Sequence, residues 1–232
     1  MLNSLPYRRY ATGAEPTYPE YVRQEEPTVI PPAHPTARRT QAERSDVTIA
    51  QLITAAQRLF GGEGYATTSI AAVAAAAGVT KGAAYHHFEG KAALFHAVFV
   101  REQEEIAAEL ARAAAEEPDA WSALRRGCRR FLEHCLDPGF RRIVLLDAPA
   151  VLGWETVREI EYAHTLRVLT DGMRAAATAG HFGDGDLDVR CQMMFGALCE
   201  AGMLLARSPD PASALTAVTA EAERLLSALA AP

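Results

Sequence analysis

The sequence predicts an all-α protein of about nine helices. A three-helix N-terminal module containing a helix-turn-helix would join, through a long fourth helix, a larger helical domain. Three observations predict it. Apolar residues recur at helical offsets along most of the chain, and no segment alternates with the period of two that marks a strand. Much of the 49% apolar fraction is alanine, the strongest helix former. Glycine and proline then cut the chain into helix-sized pieces.

Residues 1–40 hold seven of the 13 prolines and show no helical or strand period, so a disordered extension is expected there. Arg38-Arg39 close it as a short basic arm. The first helix is predicted from about Ser45 to Phe60, capped by Ser45 or Asp46 and ended by Gly61-Gly62 and Gly64. Ile49, Leu52, Ile53, Ala56, Leu59 and Phe60 form its apolar face. Tyr65 follows as a ring to plug a small core. Thr67-Thr68-Ser69 caps the second helix, whose buried side is Ile70, Val73, Ala74 and Ala77. Gly78 suits the turn, Val79 packs inward, and Thr80 caps a third helix, Lys81 to His87. The fourth runs from Lys91 to about Glu117, where Pro118 stops it.

Asp119 caps a fifth helix reaching about Cys135. A short helix from Phe140 to about Leu146 follows Pro138-Gly139. The seventh spans about Trp154 to Ala179, the eighth about Leu187 to Arg207, and the ninth about Ala212 to Ala230. In the eighth, Val189, Met193, Ala197, Ala201, Leu204 and Leu205 are expected to share a face. The domains implied are the extension 1–40, a helix-turn-helix domain 41–90 and a larger helical domain 91–232.

Composition limits the function. The N-terminus lacks the apolar core of a secretory signal, and no apolar run approaches the ~20 residues of a membrane span, so a cytoplasmic protein with no membrane partner is expected. Cys128, Cys135, Cys191 and Cys199 include no CxxC pair; buried free thiols are expected, with a redox switch as the sharper alternative. Net charge is −6, unevenly spread: residues 38–101 carry +3, while residues 102–232 carry −8. Only the first part is therefore suited to meet phosphate. Both lysines of the chain, Lys81 and Lys91, lie there.

Enzyme and metal motifs are absent from the sequence. Glu161 and His164 form one Glu-x-x-His without the second copy a di-iron site requires. Asp184, Asp186 and Asp188 mimic the start of a calcium loop whose twelfth position is Phe195 instead of glutamate. No HExxH, P-loop, GxGxxG or GxSxG occurs. No cofactor, metal or catalytic residue is implied.

Residues 45–100 resemble the DNA-binding domain of the TetR family of transcriptional regulators. The resemblance is carried by the helix ending in Phe60 with Gly64-Tyr65, by Thr67-Thr68-Ser69-Ile70, and by Ala74, Ala77 and Gly78-Val79. It continues through Thr80-Lys81-Gly82, Tyr85-His86-His87-Phe88, Lys91 and Leu94-Phe95. It covers about a quarter of the chain. Ala84 stands where a larger aliphatic residue is common, and His87 where tyrosine is frequent. The remaining helices fit the family's ligand-binding and dimerisation domain in number and order.

The resemblance implies a repressor that binds double-stranded DNA at a palindromic operator. It would act as a homodimer joined through the last two helices, and a small-molecule effector would release it. Helix starts present unpaired N–H groups to phosphate. A glycine in the reading helix would permit close approach to base edges. The candidate DNA contacts are Arg44, Thr68, Ser69, Thr80, Lys81, Gly82, Tyr85, His86 and Lys91. Candidate effector-pocket residues are Phe131, Phe140, Trp154, Tyr162, His164, Met194 and Glu200, although aromatic and Met positions at helical spacing are more often core. The rival reading is a helical small-molecule sensor, or an enzyme using His164, that does not bind DNA.

Overall fold

The computed structural model describes residues 41–230; the expected extension 1–40, with Arg38-Arg39, lies outside them. Among the described residues the chain is helical throughout, with no strand. Helix α1 spans Gln41–Glu63, α2 Ile70–Ala76, α3 Lys81–His87 and α4 Lys91–Ala115. These are followed by α5 at Ala120–His134, α6 at Pro138–Phe140, a π-helical turn at Arg141–Asp147 and α7 at Ala148–Leu152. The chain continues through α8 at Trp154–Ala163, α9 at Thr165–Thr178, α10 at Leu187–Arg207 and α11 at Pro211–Ala230.

This is more segments than the nine expected, and each difference has a local cause. Helix α1 begins four residues before Ser45, so neither Ser45 nor Asp46 caps it. It also runs through Gly61-Gly62 and ends only at Gly64, whose φ of +90° breaks the helical repeat. The short sixth helix is instead a continuous helical run from Pro138 to Leu152 that widens to π geometry before Pro149. Pro149 has no N–H to give, and a wider turn absorbs the missing bond. The expected seventh helix breaks at His164, at φ −125° and ψ −96°. No proline or glycine marks that break.

The first four helices close on fully buried Leu52, Ala56, Phe60, Val73, Leu94, Phe95, Val98 and Phe99. Tyr65 packs against this core as expected. Its ring lies 5.7 Å from that of Phe60 and 5.1 Å from that of Phe95, and Phe60 and Phe95 meet at 5.2 Å. Aromatic pairs at such distances contribute ~0.5–1.5 kcal/mol each beyond area burial. Helix α4 then continues as one rod into the second half. At ~1.5 Å per residue its 25 residues reach ~37 Å.

Helix α10 is long and apolar enough, by length and composition alone, to cross a membrane, contrary to the sequence expectation. In the fold its apolar residues divide between two faces. Cys191, Met194, Phe195, Leu198, Ala201 and Leu205 are buried, whereas Val189, Met193 and Leu204 are at least half exposed. The single face expected for this helix is therefore two. Gly202 permits the close crossing: a Cβ there would lie 2.9 Å from Cys135 Sγ and 3.0 Å from Leu145 Cδ1.

Candidate nucleic-acid interface and effector cavity

The helix-turn-helix is built by two side-chain caps and one left-handed glycine. Ser69 Oγ accepts from Ala72 N at 3.1 Å, and Thr80 Oγ1 accepts from Ala83 N at 3.1 Å. Each such cap stabilises its helix by ~1 kcal/mol. Gly78 sits at φ +69°, which lets Val79 N return to Ala74 O at 3.0 Å and closes the turn. Ile70, Val73, Ala74 and Ala84 face inward. Lys81, Gly82, Tyr85 and His86 of α3 face outward, with Thr80 exposed at its head. Tyr85 is 50% exposed and carries the Lys81 ammonium 5.8 Å from its ring centre. Among the described residues the only neighbour within 4 Å of a Cβ added at Gly82 would be Thr80 Oγ1, at 3.9 Å, so their packing does not require glycine there. Arg44 and Ser69 are exposed as well.

One expected contact is corrected, and a second has partners inside the protein. Thr68 is 2% exposed, and its hydroxyl donates to Gly64 O at 2.9 Å and more weakly to Leu59 O at 3.4 Å, so it fastens the α1–α2 connection from inside. Lys91 is half-buried. Its Nζ donates to Tyr65 O at 2.9 Å and Ala66 O at 3.4 Å and lies 4.2 Å from the centre of the Tyr65 ring. Two of its three donors are thus engaged within the protein, and the ammonium clamps the α1–α2 connection from the start of α4. The rings of His86 and His87 meet edge to face at 5.1 Å.

The helix-turn-helix is seated on the second half through the end of α1. Gly61 and Gly139 touch backbone to backbone: a Cβ on Gly61 would lie 3.0 Å from Gly139 Cα. Arg142, in the π turn, donates to the carbonyls of Gly61 and Gly62, which α1 leaves open at its C-terminus. Asp147 Oδ2 accepts from Tyr65 N at 2.8 Å. Along α4, Gln57 Nε2 of α1 donates to Glu102 Oε1 at 2.9 Å and Glu105 Oε2 at 3.2 Å. Burial pushes the Glu102 carboxyl above its ordinary range, against the lowering effect of the Gln57 bond. π-Helical turns are rare and recur at functional sites; this one ties the two halves together.

A cavity of about 90 Å³ opens between α4, α5, α9 and α10. Leu110, Leu124, Phe131, Leu169, Phe195 and Leu198 supply its apolar walls, while Gly127 and Gly172 leave the space between α5 and α9 unfilled. Among the described residues its only side-chain oxygen or nitrogen is Thr165 Oγ1, which donates to Gln103 Oε1 of α4. Both residues are buried, at 3% and 2% exposure.

Of the expected pocket residues, Phe131 lines this cavity. Phe140 and Met194 are buried elsewhere in the core. His164 forms the break before Thr165. Trp154 and Tyr162 are 63% and 52% exposed, and Glu200 is exposed and paired with Arg207 at 3.3 Å. These three are therefore surface residues in this conformation. The cavity residues missed were the leucines and Phe195, which the sequence does not distinguish from ordinary core, and Gly127 and Gly172, which carry no hydrophobic signal.

Other ionisable groups are accounted for locally. Glu161 lies 3.2 Å from Arg158, but neither facing atom has an aligned hydrogen bond, and burial pushes the carboxyl up to about 7. Burial also pushes the Cys128, Cys135 and Cys199 thiols up to about 12, which keeps them protonated and poorly nucleophilic. All four cysteines are free. Among the described residues, no three His, Cys, Asp or Glu side chains group as they would around a metal ion.

A capped helix-turn-helix, braced on a long helix that enters a cavity-bearing helical domain, defines the class: a DNA-binding transcriptional regulator. Residues 52–98 match the sequence model for bacterial regulatory proteins of the tetR family, and residues 121–229 match that for the tetracyclin repressor-like C-terminal domain. A TetR-family transcriptional regulator from Pectobacterium atrosepticum has the same fold. Its TM-score is 0.69 at 32% identity, over 82% of this chain and 97% of that one. The chain belongs to the TetR family. It is 43% identical over 112 residues to the regulator TtgR of Pseudomonas putida, covering 46% of this chain and 51% of that one. It is 30% identical over 120 residues to the transposon Tn10 TetC protein of Escherichia coli, covering 52% and 60% respectively. The matched stretches thus span about half to three-fifths of these relatives.

Proposed function

We propose that the protein is a repressor that binds a palindromic operator in double-stranded DNA as a homodimer and leaves it when a small molecule enters the cavity. The observation that carries this reading is the outward face of α3. There Thr80, Lys81, Gly82, Tyr85 and His86 stand exposed beside a glycine that internal packing does not explain. In the major groove, hydroxyl, phenol and imidazole groups meet base edges or phosphates, and Lys81 neutralises a phosphate. Ser69 at the head of α2 and Arg44 on α1 reach the flanking backbone.

The homodimer reading rests on the half-exposed Val189, Met193 and Leu204 of α10 and Leu225 of α11. Covering that apolar stripe with its own copy gives two reading helices related by a two-fold axis, hence a palindromic site. Release follows from α4. Lys91 holds its first turn against the α1–α2 connection, and Leu110 lines the cavity ~28 Å further along. A ligand that favours one setting of this rod shifts the population, and DNA affinity changes reciprocally. The test is a gel shift with DNA flanking the protein's own coding region, run across a salt series. A shift that weakens steeply with salt is expected; no shift on any flanking fragment refutes the reading.

A further inference from the structure

We propose that the cavity selects an uncharged, largely apolar molecule bearing one hydroxyl group, and that Thr165 reads this hydroxyl and passes its presence to α4 through Gln103. This rests on the reading of the cavity as the effector site. Among the described residues no charged side chain lines the cavity, so an ionic ligand would surrender its hydration and meet no opposite charge there. The walls are aliphatic and aromatic carbon, interrupted by the protonated thiol of Cys128, a weak hydrogen-bonding group, and by the one hydroxyl, that of Thr165.

Thr165 donates its own proton to Gln103 Oε1, which leaves the hydroxyl oxygen's lone pairs to accept from a ligand. A neutral donor on an apolar skeleton is the complement of that wall, and a hydroxyl is the compact form of it. Size adds a constraint. A cavity of about 90 Å³ is smaller than the ~150 Å³ space that takes up benzene, so a single-ring ligand has to part α5 from α9. Gly127 and Gly172 are where the two helices have slack. A Cβ at Gly127 would meet nothing within 4 Å, and one at Gly172 would meet only Leu124 Cδ1 at 3.4 Å.

The same hydroxyl contact reaches the DNA-facing end. Gln103 is adjacent on α4 to Glu102, whose carboxylate accepts from Gln57 of α1. A ligand hydroxyl that donates to Thr165 leaves the Thr165–Gln103 bond in place and polarises it, so it tightens the hold on Gln103, one residue from the group that holds α1. The reading head is therefore linked to a polar contact as well as to helix displacement.

The experiment is calorimetric titration of the full-length protein with three probes of one skeleton: 4-ethylphenol, ethylbenzene and 4-ethylbenzoate. The phenol should bind about five- to tenfold tighter than ethylbenzene, the contribution of one hydrogen bond, and the benzoate should not bind. Thr165→Val should erase the preference for the phenol, and Thr165→Ser should keep it. Gly127→Leu, which fills the slack, should abolish binding of both uncharged probes while the protein still melts cooperatively. The proposal is overturned by benzoate binding as tight as the phenol's, by a phenol preference that survives Thr165→Val, or by binding that survives Gly127→Leu. It is equally overturned if neither uncharged probe binds the wild type. The DNA shift is measured without probe. A positive shift with no probe binding sinks only the ligand class, and selective probe binding with no shift sinks only the operator reading.

Discussion

Gly61 and Gly62 are neighbours in α1, and helix propensity treats them alike: replacing either by alanine should stabilise by up to ~0.5–1 kcal/mol. Packing treats them oppositely. A Cβ at Gly62 would meet nothing within 4 Å, whereas one at Gly61 would lie 3.0 Å from Gly139 Cα. Ordinary carbon contacts begin near ~3.5 Å, so α1 and α6 would have to separate by about half an ångström. The Gly139 backbone is poorly placed to yield, because Asp137 Oδ1 accepts from Gly139 N at 2.6 Å and from Phe140 N at 2.9 Å. Overpacking of this kind costs ~1–3 kcal/mol. At ~2–4 °C per kcal/mol for a chain of this size, Gly61→Ala should melt roughly 4–8 °C below Gly62→Ala, and below the wild type. The assay is thermal unfolding by circular dichroism, with DNA affinity of each variant by fluorescence anisotropy. Because α1 carries the reading helices, Gly61→Ala should also weaken DNA binding although it touches no DNA-facing residue. If both variants melt at or above the wild type, the backbone contact does not seat α1, and the account of how the two halves are joined is wrong.

Three further outcomes are expected. Asp147→Ala removes the acceptor of the Tyr65 N–H and should cost about 1–2 kcal/mol in chemical denaturation; Asp147→Asn, which keeps an acceptor, should recover most of it. Lys81→Ala should lower the slope of log affinity against log salt by about one unit with the melting temperature unchanged. Lys91→Ala should do the reverse, because its ammonium is tied to Tyr65 and Ala66; equal slopes for the two variants would remove the distinction. Glu161 has its folded pKa raised by burial, from 4.5 to about 7. Its protonated form is therefore the one the fold favours. That contribution is complete below about pH 4.5 and lost as pH rises through about 7, a swing of about 3 kcal/mol. Glu161→Gln should therefore gain melting temperature over the wild type at pH 8 relative to pH 5, and a pH-independent difference between the two proteins would contradict the buried, protonatable carboxyl.

The reading head was largely legible in the sequence because local chemistry decides it. Ser69, Thr80 and Asp119 cap the helices they precede, Gly78 takes the left-handed turn, and Tyr65 completes the aromatic cluster. What escaped were features set by partners distant in sequence. Thr68 looked like one more capping hydroxyl, and only the fold turns it onto Gly64 and Leu59. Lys91 looked like a solvent-facing cation at a helix start until Tyr65 was brought beneath it. In α10 a sequence dense in apolar residues carries no mark dividing the face bound for the core from the exposed one. The cavity failed for a different reason. Large side chains such as Trp154 and Tyr162 drew the prediction, but the space is made where side chains are missing, at Gly127 and Gly172.

The connection from Gly61 to Ala66 carries a further consequence. Arg142 and Lys91 hold its carbonyls, and Asp147 holds its Tyr65 amide. All of these bonds are made to main-chain atoms, which no codon change in the connection itself can delete, short of proline at Tyr65. A mutational scan of the gene should therefore show a displaced pattern of loss. Many side chains would be tolerated at exposed Gly62 and Ala66, while inactivating changes fall at Arg142 and Asp147, about eighty codons downstream. A geneticist mapping such lesions would place them in the C-terminal helical half, although the geometry they disturb belongs to the helix-turn-helix one.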